Sequence, residues 1–149
     1  EPCDVGVLLD QTLGEYGEKL SAAGLEPVLT KPEKPVIIMA DGRHMWRIFD
    51  NLLNNICKYS QRGTRVYLEV CERDGKAVVT FRNISSRQLN ISSDELMERF
   101  VRGDSSRNTE GSGLGLSIAK SLVELQGGRM ELTVDGDLFK VTLTFDVVK

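Results

Sequence analysis

Apolar residues recur along the chain with two different periods, and the switches between them outline the fold. Val5, Leu8, Leu9, Leu13, Tyr16 and Leu20 recur at helical spacing behind Asp4, whose short acidic side chain suits an N-cap, and Gly24 offers a stop. Two short runs of β type follow at 25–30 and 35–40. Pro27 has no amide hydrogen to give a neighbour, which places the first run on a sheet edge. Residues 43–60 form the clearest helix. At about 100° per residue, Met45, Phe49, Leu52, Leu53 and Ile56 share one face, and Asp50, Asn51, Asn54, Asn55 and Lys58 share the other. Alternating runs at 64–71 and 76–82, joined through Asp74-Gly75, predict a hairpin. Leu114, Ile118, Leu122 and Leu125 mark a further helix ended by Gly127-Gly128. A last hairpin pairs 130–134 with 138–147 around Asp135-Gly136.

The stretch 83–113 breaks both periods. It is rich in Ser, Asn, Arg, Asp and Gly, with one short helical island at 94–100, and no large apolar residue stands between Arg102 and Gly111. A segment that long without anchors is expected to be mobile. Helices set between antiparallel hairpins predict an α+β class: a two-layer α/β sandwich whose mixed, mostly antiparallel sheet is covered by about three helices on one face. Residues 1–149 read as a single domain, with no internal repeat or low-complexity tract.

Composition narrows the partners. Net charge is −3, with no basic block or interleaved aromatic stripe, which argues against nucleic acid. No apolar run approaches the ~20 residues that cross a bilayer. The opening Glu1-Pro2-Cys3 reads as a cut inside a longer protein. Cys3, Cys57 and Cys71 form no CxxC pair, and Cys57 and Cys71 are expected as small core residues. The single histidine, His44, has no Cys or His at ligand spacing and is expected to be structural or solvent-facing.

Three segments carry chemistry. Asn51, Asn55 and Lys58 stand at i, i+4 and i+7 and project together from one helix. Most polar stripes are solvated faces. Yet asparagine is a poor residue for a helix interior, and Asn51, Asn54 and Asn55 fall within two turns. An amide oxygen can ligate a hard cation such as Mg²⁺, and an ammonium group can balance phosphate charge. The second segment, Gly111-Ser112-Gly113-Leu114-Gly115-Leu116, opens a helix. Its glycines allow close backbone approach and its free amides favour phosphate. It is neither a Walker A sequence nor a dinucleotide fingerprint. The third segment places Phe100, a candidate anchor, at the start of the polar loop, with Arg102 and Arg107 within reach of a terminal phosphate.

In this order the three segments resemble one family, the sensor histidine kinases. Asn51-Leu52-Leu53-Asn54-Asn55-Ile56-Cys57-Lys58-Tyr59-Ser60 is similar to the N box, Glu98-Arg99-Phe100-Val101-Arg102-Gly103-Asp104 to the F box, and Gly111-Ser112-Gly113-Leu114-Gly115-Leu116-Ser117-Ile118-Ala119-Lys120 to the G2 box. The resemblance runs from about Asp41 to the C-terminus and implies the Bergerat ATP-binding fold. It implies ATP and Mg²⁺ as cofactors. Asn55 would ligate the metal and Asn51 would help hold the phosphates or the metal. Lys58 would contact phosphate, and Tyr59 would lie against adenine or ribose. Phe100 would fasten a lid and Arg102 would approach the γ-phosphate, while Gly111, Ser112, Gly113, Leu114, Gly115 and Leu116 would enclose the polyphosphate.

The resemblance also implies partners: a helical dimerisation domain carrying the phosphoaccepting histidine, homodimerisation through it, and a response regulator. No such histidine segment is present here, so the fragment holds no catalytic nucleophile and is expected to bind ATP-Mg²⁺ with little turnover. A cytoplasmic domain is implied, anchored to the membrane only through segments N-terminal to it. Alternatives are a degenerate docking module and an ATPase or serine kinase of the same superfamily. The related ATPases and serine kinases carry a glutamate where Asn51 stands. An amide cannot take a proton at neutral pH, which favours transfer to an imidazole over hydrolysis.

One box departs from the family. Its G1 box, Asp-x-Gly-x-Gly, would begin at residue 83, where the chain reads Asn83-Ile84-Ser85-Ser86-Arg87. Asn83 replaces the aspartate that accepts from the adenine amino group. It keeps an acceptor oxygen without the charge, at a cost on the order of 1 kcal/mol.

Overall fold

A computed structural model describes residues 1–86 and 114–148. The expected helical island at 94–100 and the expected mobile loop at 102–111 lie outside the described residues, as do Phe100, Arg102, Gly111, Ser112 and Gly113.

The chain begins with a short strand, β1 (Pro2–Asp4), which the sequence pattern does not reveal. It leads into α1 (Val5–Glu15), capped as expected by Asp4, whose Oδ1 accepts from the Val7 amide at 3.2 Å. The single helix expected over residues 5–20 is in fact two, because α1 ends at Tyr16 and α2 (Gly17–Ala22) starts afresh. Gly14 and Gly17 weaken the helix on either side of the break. The Tyr16 hydroxyl meanwhile donates to the Asp50 carbonyl at 3.0 Å and to its carboxylate, tying the break to the next helix. Burial, reinforced by the bond to Asp50, pushes the Tyr16 phenol well above its ordinary range.

The strands β2 (Glu26–Thr30) and β3 (Ile37–Met39) follow the two expected β runs but join different sheets. β3 pairs antiparallel with β1 in a small two-stranded sheet, linked to the main one by a bridge from Ile38 to Val147. The main sheet also contains β4 (Arg65–Arg73), β5 (Lys76–Ile84), β6 (Arg129–Asp135) and β7 (Leu138–Asp146), in the order β2-β4-β5-β7-β6. β2 runs parallel to β4 on the edge, where Pro27 requires it, and every other pair is antiparallel. Asp74 and Gly75, at φ 53° and 76°, form the β4–β5 turn that matches strand twist.

Between β3 and β4 runs α3 (Gly42–Tyr59), and α4 (Leu114–Leu125) precedes β6. α3 is N-capped by Asp41, whose carboxylate accepts from the Arg43 and His44 amides at 2.9 and 3.4 Å. Met45, Ile48, Phe49, Leu52, Leu53 and Ile56 of α3 are buried against the inward residues of β5 and β7, with Phe49 and Phe81 in tilted contact at 5.9 Å between ring centroids. The burial pattern of β7 alternates along its length. Phe139, Val141, Leu143 and Phe145 face the helices, and the intervening residues face outward. This is the expected sandwich, with a mixed, mostly antiparallel sheet and helices on one face. Cys57 packs at the margin of the core. Cys71 does not, because Val66, Leu68 and Val70 take the inward positions of β4 and alternation turns Cys71 outward.

Candidate functional site

Two helices and one strand end define the site, and their relative direction decides what they can hold. The start of α3 meets the end of α4. Gln126, just past α4, accepts from the Asp41 amide through Oε1 at 2.8 Å and places Nε2 2.8 Å from His44 Nδ1. With Oε1 serving as an acceptor, Nε2 donates to His44, whose Nδ1 is then the unprotonated nitrogen. His44 therefore has a structural part, as expected, in a contact that the sequence did not indicate.

α4 packs along α3, so this clamp orients the pair antiparallel. Successive side chains fall about 100° apart, which puts His44, Asn51, Asn55 and Lys58 within about 60° of arc on one flank of α3. From His44 to Asn55 is about 16 Å of helix rise, and from Gln126 back to Leu114 about 18 Å. Asn55 thus lies level with the N-terminus of α4, where the Gly111–Gly115 segment ends, and Asn51 about 6 Å further along α4. Leu114 and Gly115 supply the first residues of α4, and Leu116 is fully buried, so its side chain anchors the helix in the core.

The two asparagines are not on a solvated face. Asn55 is only 9% exposed, and the Nδ2 of Asn51 is buried with no hydrogen-bond partner. The expected polar face divides: Asn54 and Lys58 are exposed, and Asn51 and Asn55 lie next to Ile48 and Leu52 at the margin of the core. A buried donor without an acceptor is destabilising by about 1–3 kcal/mol. An anion seated between this flank and the amides of the α4 N-terminus would supply the acceptor, which fits a polyphosphate. The buried Asn55 amide offers the kind of oxygen that a hard cation takes.

The third wall is the end of β5. Asn83 is two residues beyond Phe81 and faces inward with it, 3% exposed. Its Nδ2 donates to the Ser60 Oγ at 2.8 Å. Around this pair, the end of α3 is stitched to the end of β5. Ser60 bridges Ser85, the Ser86 amide donates to the Tyr59 carbonyl at 2.8 Å, and the Gln61 amide donates to the Ile84 carbonyl at 2.6 Å. Tyr59, half-buried, lies at the same junction. The structure thus brings Asn51, Asn55, Lys58 and Tyr59 together on α3, with Asn83 at its C-terminal end and Leu114–Leu116 across from it. Sequence reasoning missed Ser60 as the partner of Asn83, although Ser60 closes the N-box-like segment. A surface hollow of about 730 Å³, lined by Gly24, Leu25, Thr64, Tyr67 and Ile84 among others, contains none of the expected residues.

A mixed, mostly antiparallel sheet with helices on one face, and a buried, unpaired amide between two of them, defines the class as an α/β sandwich with a polar cleft. Comparison narrows the class. Residues 40–149 match the model of the histidine kinase-, DNA gyrase B-, and HSP90-like ATPase family. The chain is 40% identical over 115 residues to the probable sensor protein PcoS of Escherichia coli, covering 74% of this chain and 24% of that one. It is 30% identical over 131 residues to the signal transduction histidine-protein kinase BaeS of Escherichia coli K12, covering 87% and 28% respectively. Among solved structures, the nucleotide-free catalytic domain of the histidine kinase ThkA superposes with a TM-score of 0.83 at 17% identity, covering 98% of this chain and 94% of that one. Full-length ShkA in complex with AMPPNP superposes at 0.79 and 22% identity, covering 100% and 31%. The chain belongs to this ATPase family and corresponds to the catalytic domain of sensor histidine kinases. It spans only about a quarter of the length of the two curated relatives.

Proposed function

We propose that this domain binds ATP with Mg²⁺ and, within a longer sensor kinase, presents the γ-phosphate to a histidine on a separate dimerisation domain, from which it passes to a response regulator. The observation that carries the reading is the buried, unpartnered Nδ2 of Asn51, on the flank of α3 that packs along α4. In this reading Asn51 donates to phosphate oxygen and the Asn55 oxygen ligates the cation. Lys58 balances charge at the open rim, Tyr59 lies beside the base, and Asn83 meets the base from the end of β5. The backbone from Gly111 to Leu116, with Ser112 among it, lines the polyphosphate; Phe100 fastens the lid and Arg102 approaches the γ-phosphate. Bound Mg²⁺ would draw charge from the phosphates and make the terminal phosphorus more electrophilic.

The amide at position 51 cannot act as a base, so the domain is built to hold and orient a nucleotide rather than to activate water. In-line transfer then depends on the histidine being brought to the open side of the site. Isothermal titration of this chain with ADP and ATP, in Mg²⁺ and in EDTA, tests the reading. Saturable, Mg²⁺-enhanced binding is expected, and no binding at millimolar nucleotide would overturn it.

A further inference from the structure

The purine end of the site has an unusual reader. Asn83 is almost wholly buried, and its Nδ2 is engaged by the Ser60 hydroxyl at 2.8 Å. A planar amide with its nitrogen turned to Ser60 presents its oxygen on the opposite edge. That oxygen can accept from a 6-amino group. A serine hydroxyl, however, both donates and accepts. If the amide turns over, Ser60 O–H donates to the Asn83 oxygen, and the NH₂ group then points where the oxygen had been. One bond to Ser60 is exchanged for another, so nothing at this contact holds the amide in one orientation. A carboxylate at residue 83 would be an acceptor in either orientation and would oppose a 6-oxo group.

We propose that the Asn83–Ser60 pair makes the base subsite accept both 6-amino and 6-oxo purine nucleoside triphosphates. The inference rests on the reading above, in which Asn83 meets the base. In its adenine-binding state the pair keeps the observed orientation, and in its hypoxanthine-binding state the amide inverts and Ser60 becomes the donor. Both states satisfy Asn83, so the energetic difference between them is small. A purine with only hydrogen at position 6 offers neither a donor nor an acceptor and leaves the amide unmatched.

The test is competition titration of the unmodified chain with ATP, inosine triphosphate and purine riboside triphosphate, all with Mg²⁺, followed by the same series on Asn83→Asp. Inosine triphosphate is expected to bind within about tenfold of ATP, and purine riboside triphosphate more weakly than both. Asn83→Asp should weaken inosine triphosphate relative to ATP by at least about tenfold more. Inosine triphosphate binding about a hundredfold weaker than ATP, or no tighter than purine riboside triphosphate, would overturn the inference while leaving ATP binding intact. An unchanged ratio in Asn83→Asp would do the same. The three ligands decide the matter on the unmodified chain even if the variant does not fold. Failure of all three to bind would instead remove the nucleotide reading itself.

Discussion

Replacing Asn51 with leucine should make the nucleotide-free protein more stable and its nucleotide site useless. The Nδ2 of Asn51 is buried without a partner, and such a donor is destabilising by about 1–3 kcal/mol. Leucine removes the donor and adds apolar contact beside Ile48 and Leu52, which are buried on the same side of α3. Some of that gain is offset by the greater bulk, because overpacking a tight margin costs about 1 kcal/mol or more. A net gain of about 1 kcal/mol remains, which for a chain of 149 residues raises Tm by roughly 2–4 °C.

On the proposed function the same substitution also removes a donor to phosphate. At nucleotide one hundred times its Kd, the parent chain gains about 2.7 kcal/mol on ligand addition, and Asn51→Leu should lose most of that gain. Thermal melts followed by far-UV circular dichroism, with and without ADP-Mg²⁺, read both effects in one experiment. The two proteins should exchange rank: the variant melts higher without nucleotide and the parent melts higher with it. A variant less stable than the parent without ligand, yet with an undiminished nucleotide shift, would refute the argument, because the buried amide would then be structural rather than kept for a ligand.

Three further substitutions probe neighbouring parts of the molecule. Asn55→Ala should bring the ratio of ADP affinities in Mg²⁺ and in EDTA close to one, measured by calorimetry, because on the proposed function the loss falls on the cation. Tyr16→Phe removes the hydroxyl that bonds the Asp50 carbonyl and Oδ1 and should destabilise by about 1–2 kcal/mol in urea titrations at neutral pH. The Tyr16 pKa is raised in the fold, first by burial and then by the Asp50 bond, so its contribution is complete below the unfolded value of about 10 and is lost as pH rises above it; the parent should therefore lose stability more steeply than Tyr16→Phe above pH ~10. Gly128→Ala would set a Cβ 2.5 Å from Phe145 ring carbons and 2.9 Å from the Thr144 carbonyl oxygen, and should destabilise by about 1–3 kcal/mol in the same titrations.

The parts of the fold that were legible in the sequence are those fixed by local chemistry. Asp4 and Asp41 cap the helices that follow them, Asp74-Gly75 turns the first hairpin, and Pro27 keeps β2 on an edge. β1 was illegible because three residues, Pro2 to Asp4, carry no period, and only pairing with Met39, Ile38 and Ile37 makes them a strand. The break at Tyr16 was hidden because its apolar neighbours keep helical spacing across it, and the bond that fixes it reaches Asp50, 34 residues away. Asn51, Asn55 and Lys58 were legible as a stripe, but periodicity did not separate the buried Asn51 and Asn55 amides from the exposed Lys58. It separates apolar from polar faces, and it cannot tell a solvated amide from one pressed against a second helix.

That second helix explains how one flank of α3 carries two duties. At its start, His44 and the Asp41 amide are closed off by Gln126, with every polar atom of the Gln126 amide engaged at 2.8 Å. Two to three turns later the same flank presents Asn51, whose donor is buried and unpaired. Had the unsatisfied end been paired like the clamped end, the helix pair would be more stable and have nothing left to offer a ligand. Fixing α4 against α3 at the far end sets its N-terminus level with Asn55 without using the Asn51 or Asn55 amides, so the rigidity of the site and its capacity for hydrogen bonding come from different parts of one interface.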